Sequence, residues 1–146
     1  MKKELRGDKG FTLIELLVVV AIIGILASVV IASLNTARRK ATDVKVKQQL
    51  VSLRSAAETY YLTAGNYGAA TVSCSSGMFT DTASNLASLV STANYPGAIV
   101  CTSNGNAYAV QAALTTSGQY WCVDSTGVSQ ASTTALATSP ASYTCP

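Results

Sequence analysis

The sequence contains no histidine, and none of its lysine or arginine residues lies beyond position 54 of 146. Histidine is the most common general base and a frequent metal ligand, so its absence removes both uses. Residues 55–146 keep only three charged side chains, the carboxylates of Glu58, Asp81 and Asp124. Phosphate backbones are bound by clustered cations, so no nucleic-acid binding is expected there. We expect neither an enzyme nor a cofactor or metal site.

The charges that are present lie at one end of the chain. All ten cations fall within the first 54 residues, so the net charge of +3 averages a basic N-terminal part and a slightly acidic C-terminal part. The length allows one compact domain with one extended element.

Four cysteines indicate the compartment. They lie beyond residue 70 without CxxC spacing, and zinc would need close pairs or histidine, so we predict two disulfides in an exported protein. Three pairings are open. We favour Cys74–Cys101, which would join a loop region to the predicted sheet, and Cys122–Cys145, which would fasten the C-terminal tail.

A long apolar run follows a short polar leader. Residues 1–10 carry four cations and two acids, and Phe11 begins an apolar stretch that continues to about Leu34. As a helix this stretch spans about 36 Å, enough to cross a membrane. A cleaved secretory signal with a cut before Ser33 is the alternative. A signal sequence has no need of the carboxylate of Glu15 within lipid, which is costly without a partner.

The motif Gly10-Phe11-Thr12-Leu13-Ile14-Glu15 resembles that of the type IV prepilins, the precursors of type IV pilus and pseudopilus subunits. The shared features are a basic leader ending in glycine, a phenylalanine after it, a glutamate four residues later and an unbroken apolar helix. The resemblance covers about residues 1–60. One departure is Ala32, at a position where many members of that family carry proline.

The resemblance implies a cycle of processing and assembly. A prepilin peptidase would cut between Gly10 and Phe11 on the cytoplasmic side, and the new Phe11 amine would be methylated. Glu15 would then neutralise the Phe11 ammonium of a neighbouring subunit in a helical homo-oligomer. An assembly platform and motor machinery are the other implied partners. The precursor would span the cytoplasmic membrane once before it joins an extracellular filament.

The remaining sequence predicts an α+β fold. Residues 35–64 continue the helix as an amphipathic half, with Val46, Leu50, Leu53, Ala57 and Tyr60 on one face and Gly65 as the stop. Residues 65–146 form a globular head with a loop region, a disulfide-closed tail and a three-stranded antiparallel sheet. The predicted strands are 98–101, 107–114 and 120–123, and the alternating residues Tyr108, Val110, Ala112 and Leu114 of the second strand should face the apolar stripe of the helix. The cations between Arg38 and Lys47 would face solvent, lipid headgroups or acids of neighbouring subunits.

The sequence therefore predicts a structural subunit that polymerises through its N-terminal helix into a type IV pilus. The alternative in the same class is a pseudopilin of a type II secretion or DNA-uptake system. A signal-anchored extracellular domain that does not polymerise is the alternative from another class.

Overall fold

A computed structural model describes residues 10–139 and 141–146. The predicted leader, residues 1–10, therefore lies outside the described residues except for Gly10. The chain divides into an N-terminal unit, Met1–Arg38, and a C-terminal unit, Arg39–Pro146. Helix α1 (Leu13–Ala64) supplies residues to both units.

The two ends of α1 are set by local hydrogen bonding. The helix begins at Leu13, two residues after the predicted start, because Thr12 serves as its N-cap. At the other end, the backbone N–H of Gly65 donates to the carbonyl of Tyr61 at 2.7 Å, and Gly65 has a φ of 74°. This left-handed conformation suits glycine, so the predicted stop is confirmed.

The C-terminal unit is built on the apolar stripe of α1. Val46, Leu50, Leu53 and Ala57 are fully buried there. They share one core with residues from the loop region and the sheet, among them Met78, Phe79, Leu86, Tyr108 and Val110. The spacing of apolar residues along the helix had predicted this packing face correctly.

Four antiparallel strands form the sheet in the order β1-β2-β3-β4. They are β1 (Ile99–Ser103), β2 (Tyr108–Ala113), β3 (Tyr120–Asp124) and β4 (Ser129–Ser132). The prediction of three strands was wrong by one. β4 consists of Ser-Gln-Ala-Ser and has no β-branched or aromatic residue, so it forms through main-chain pairing with β3. The α+β class itself is confirmed.

The two faces of the sheet have different covers. Tyr108, Val110 and Ala112 on β2 belong to the core shared with α1, as the alternation had predicted. The opposite face lies under the described part of the C-terminal tail, residues 133–139 and 141–146. There the Gln111 side chain donates to the carbonyl of Thr134 and accepts from the backbone N–H of Leu136. Both faces of β2 are therefore buried, although the alternation of its residues predicted packing on only one face.

The loop region before the sheet contains short helical turns. These are two 3₁₀ turns, Gly77–Thr80 and Thr92–Asn94, and the four-residue helix α2 (Leu86–Leu89). A loop region had been predicted at this place in the chain.

The structure contains two disulfides, Cys74–Cys101 and Cys122–Cys145, the pairs that the sequence analysis favours. Cys101 belongs to the core shared with α1, whereas Cys122 is paired with Gln111 across the ladder of β2 and β3, on the face that the tail covers. One disulfide therefore fastens the loop region, and the other fastens the tail.

Candidate functional site

The glycine of the N-terminal motif is not required by packing among the residues that the structure describes. Gly10 and Phe11 precede α1, and both are exposed, Phe11 to 86%. A Cβ atom added at Gly10 would meet no atom of the described residues within 4 Å. A requirement for glycine at this position would therefore come from a partner outside the chain.

Thr12 and Glu15 form a reciprocal capping box at the start of α1. The backbone N–H of Glu15 donates to the Thr12 hydroxyl at 3.2 Å. In return, the backbone N–H and hydroxyl of Thr12 donate to Oε2 of Glu15 at 2.9 and 2.7 Å. This pattern satisfies two backbone donors that an uncapped helix leaves unpaired. Thr-x-x-Glu before an apolar run is the recognised sequence signal of this cap, and the cap was not among the predictions from sequence.

The capping box uses only one oxygen of Glu15. Both bonds from Thr12 end on Oε2, and no residue that the structure describes donates a hydrogen bond to Oε1. A carboxylate in this state can accept a further charged donor without giving up the cap.

Beyond the cap, every large apolar side chain of the segment is exposed. The large apolar residues from Phe11 to Leu34 have between 46% and 86% of their surface exposed. The most apolar 18-residue window of α1 has a mean hydropathy of 3.0, which makes the helix long and apolar enough to cross a membrane. Gly24 and Ala32 both lie within the continuous helix α1.

A shallow apolar depression lies beside the motif on this surface. It is lined by Phe11, Ile14, Glu15, Val18 and Val19. The carboxylate is therefore next to apolar side chains, in a place suited to an ammonium group that arrives on an apolar partner.

Three charged side chains on the α1 part of the C-terminal unit contact the sheet and its turns. Asp43 accepts from the backbone N–H of Thr115 at 2.8 Å, and Lys47 lies 4.4 Å from the centre of the Trp121 ring. Further along, Arg54 donates to the carbonyl of Gly127 at 2.7 Å. The expectation that the cations between Arg38 and Lys47 face solvent, lipid headgroups or neighbouring subunits was therefore wrong for Lys47. These side chains flank the apolar stripe and hold the sheet and its turns against α1.

Three other cations of this unit remain exposed. They are Arg39, Lys40 and Lys45. Among the described residues, none offers a hydrogen-bond or ion-pair partner to these three side chains.

Comparison with known proteins finds similarity at the N-terminal end. The family described as the prokaryotic N-terminal methylation motif matches residues 5–31. The chain is 46% identical over 63 residues to the type IV wide pilus major component PilA4 of Thermus thermophilus, which is 43% of this chain and 48% of that protein.

Two further relatives have a secretion function in their names. The type II secretion system core protein G of Klebsiella michiganensis is 42% identical over 62 residues, covering 42% of this chain and 44% of that protein. The protein of the same name from Escherichia coli is 40% identical over 60 residues, covering 41% of each chain. The chain thus spans less than half the length of these relatives. No solved structure gives a significant match. The resemblance to type IV prepilins is confirmed for the N-terminal segment.

Proposed function

We propose that this chain is a structural subunit that polymerises through its N-terminal helix into an extracellular type IV pilus filament. The observation that carries the proposal is the exposed apolar segment from Phe11 to Leu34, with a single carboxylate at its start. Such a surface is unstable in water and is stable in lipid or against other helices of the same kind. Storage in a membrane keeps this surface in lipid, and assembly into a helical bundle then packs it against helices of the same kind.

Glu15 has the role of the assembly ion pair in this proposal. A prepilin peptidase cuts between Gly10 and Phe11, and the new amine of Phe11 is methylated. The ammonium of one subunit then approaches the free Oε1 of Glu15 on its neighbour. Because an unpaired charge in an apolar bundle is costly, this pairing selects the register of the helices.

In the proposed function the chain consists of four parts. Residues 1–10 are a leader that is removed, residues 11–34 form the membrane and filament-core helix, residues 35–64 form the amphipathic half, and residues 65–146 form the head. The precursor crosses the cytoplasmic membrane once, and its assembly requires a platform protein and a motor. Contacts between subunits are head-to-tail, because only an interface that does not close on itself produces a helical fibre.

A second candidate is the pseudopilin of a type II secretion system. It is favoured by the relatives named as core protein G of that system. Deletion of the gene distinguishes the two functions. Loss of long surface fibres containing this chain supports the pilus, whereas loss of protein secretion without loss of surface fibres supports the pseudopilus. An extracellular domain that is anchored and never polymerises remains the contrasting class.

The intact mass and N-terminal sequence of the exported chain test this proposal. We expect a chain that begins at methylated Phe11 and is four hydrogens lighter than its fully reduced form, because it carries two disulfides. A chain that begins at Met1 or at Ser33 would contradict the proposal and support the anchored or secreted domain.

A further inference from the structure

The exposed cations Arg39 and Lys40 lie on the side of the membrane segment where cations are normally depleted. Arg39 and Lys40 follow the apolar segment, on the side that carries the disulfides and is therefore outside the cytoplasm. Lys and Arg are normally enriched on the cytoplasmic side of a membrane helix. Their presence on the outer side opposes the expected orientation, so these two cations need another role.

The carboxylates of the same unit are already bonded inside their own head. Asp43 accepts from Thr115 and Glu58 from the Tyr67 hydroxyl. Asp81 accepts from Ser84, and Asp124 accepts from Cys145 and from its own turn. All four side-chain carboxylates of residues 39–146 therefore have internal partners.

This use of the carboxylates bears on the choice between two partners for the exposed cations. Both oxygens of Glu58 and both oxygens of Asp124 accept hydrogen bonds inside the head, so these two acids would have to share them with a cation of a neighbouring subunit. The bonds to Asp43 and Asp81 each end on a single oxygen, so these two acids are less fully used. Lipid phosphates require no such change, and they lie directly outside the apolar layer that the preceding segment is proposed to cross. The position of the cations beside this phosphate layer therefore favours the lipid.

The spacing along the sequence fits the same partner. Lys40 is six residues beyond Leu34, the last large apolar residue of the segment. At the helical rise this is about 9 Å, which places the Lys40 backbone just beyond a headgroup layer that is roughly 5–8 Å thick on each side of the apolar core. The long lysine side chain extends toward that layer. Lys45, about 7.5 Å further along the helix, is outside it.

We propose that Arg39 and Lys40 bind the anionic headgroups of phospholipids in the outer leaflet and hold the stored subunit in the membrane until it is extracted. This inference rests on the membrane segment of the proposed function and adds a lipid partner to it. Neutral lipids give these cations no counter-charge, so the interaction depends on lipid charge and weakens with salt.

The test uses the full-length chain reconstituted in phosphatidylcholine vesicles that contain a trace of spin-labelled lipid. The label is carried either by phosphatidylglycerol or by phosphatidylcholine, and the motionally restricted fraction gives the association ratio of the two lipids. We expect a ratio above one at low salt that decreases toward one at high salt. In Lys40→Gln the ratio should fall by up to about fivefold.

Lys45→Gln is the matched control, since it removes the same charge from another exposed position of the same helix. We expect its ratio to remain at the wild-type value. A wild-type ratio of one, or an equal fall in both variants, would overturn the inference. If no restricted lipid of either kind appears, the chain does not enter the bilayer, and the membrane segment of the proposed function fails instead.

Fibre assembly supplies a second readout. The variant Arg39→Gln/Lys40→Gln should give at least the wild-type yield of fibres, because weaker lipid binding does not impede extraction. A reduced fibre yield together with an unchanged lipid ratio would show that these cations pair with neighbouring subunits, and would overturn the inference.

Discussion

The carboxylate of Asp124 accepts a hydrogen bond from the backbone N–H of Cys145, with 2.8 Å between Oδ2 and the nitrogen. Its other oxygen accepts from the backbone N–H groups of Thr126 and Val128 and from the Thr126 hydroxyl. One buried side chain at the end of β3 thus organises the β3–β4 turn and also holds the tail next to its disulfide.

This arrangement predicts a loss of stability in acid. Burial raises the pKa of Asp124, but the hydrogen bonds from Cys145, Thr126 and Val128 outweigh it and keep the pKa below its ordinary value of 3.8. A lowered pKa means that the ionised carboxylate stabilises the fold above about pH 4, and that this stabilisation is lost as the pH falls through the lowered value.

Replacement of Asp124 by Asn tests the pH dependence. We expect Asp124→Asn to lower the free energy of unfolding at pH 7 by about 1.5–3 kcal/mol, the usual range for hydrogen bonds to a charged group. The difference from wild type should shrink below pH 4. Urea unfolding of the detergent-solubilised chain, followed by the fluorescence of Trp121, measures both values. Asp81→Asn is the control, because its carboxylate is bonded only within its own turn.

Removal of the second disulfide should loosen the tail. Cys122 and Cys145 are separated by 23 positions, and the chain-entropy estimate for a loop of this length is about 3 kcal/mol. We expect Cys122→Ser/Cys145→Ser to lose roughly this much stability and to expose backbone amides of residues 133–146 to hydrogen exchange. Protection of the tail equal to wild type would contradict the prediction.

Glu15 should be necessary for assembly and unnecessary for processing. We expect both Glu15→Ala and Glu15→Gln to be cut normally and to give few or no filaments, because neither variant provides a negative charge for the neighbouring ammonium. Glu15→Gln keeps an oxygen that can accept from Thr12, so it separates the charge from the helix cap. Electron microscopy of sheared fibres measures the yield. Normal fibres in Glu15→Gln would contradict the ion-pair role.

Gly10 should be necessary for cleavage. A valine at this position has space among the described residues, so Gly10→Val should fold normally and accumulate as uncut precursor in the membrane. Gly24→Ala is the matched control, since that glycine also has no neighbour within 4 Å and lies outside the motif. Immunoblots of membrane fractions report the ratio of precursor to mature chain. An unchanged ratio in Gly10→Val would mean that the cleavage position is wrong.

The parts of the fold that were predicted from sequence have a periodic apolar signal. Val46, Leu50 and Leu53 repeat at the helical period, so the packing face of α1 could be assigned. Tyr108 and Val110 alternate along β2, so the face of the sheet that packs on α1 could be assigned as well. Periodicity could not reveal β4, because its serine, glutamine and alanine residues pair through the backbone.

The packing of the C-terminal tail on the second face of the sheet also gave no signal in the sequence, for a related reason. Leu136 is the one buried apolar residue in the described part of the tail, which is held mainly by hydrogen bonds to Gln111, Thr102 and Asp124. Hydrogen bonds between distant residues leave no spacing pattern in a sequence. The polar Gln111 within an apolar strand was the only local sign. The Thr12–Glu15 cap, in contrast, has a local signal that could have been used.

The absence of lysine and arginine after Arg54 has a practical consequence for identifying this protein. Trypsin cuts after these residues, so complete digestion leaves residues 55–146 as a single large peptide that ordinary peptide mapping does not recover. Tryptic fingerprints of filaments would therefore represent only the helix. Covalent changes on the serine and threonine residues of the head would become visible after chymotrypsin, which cuts at the tyrosines distributed through it.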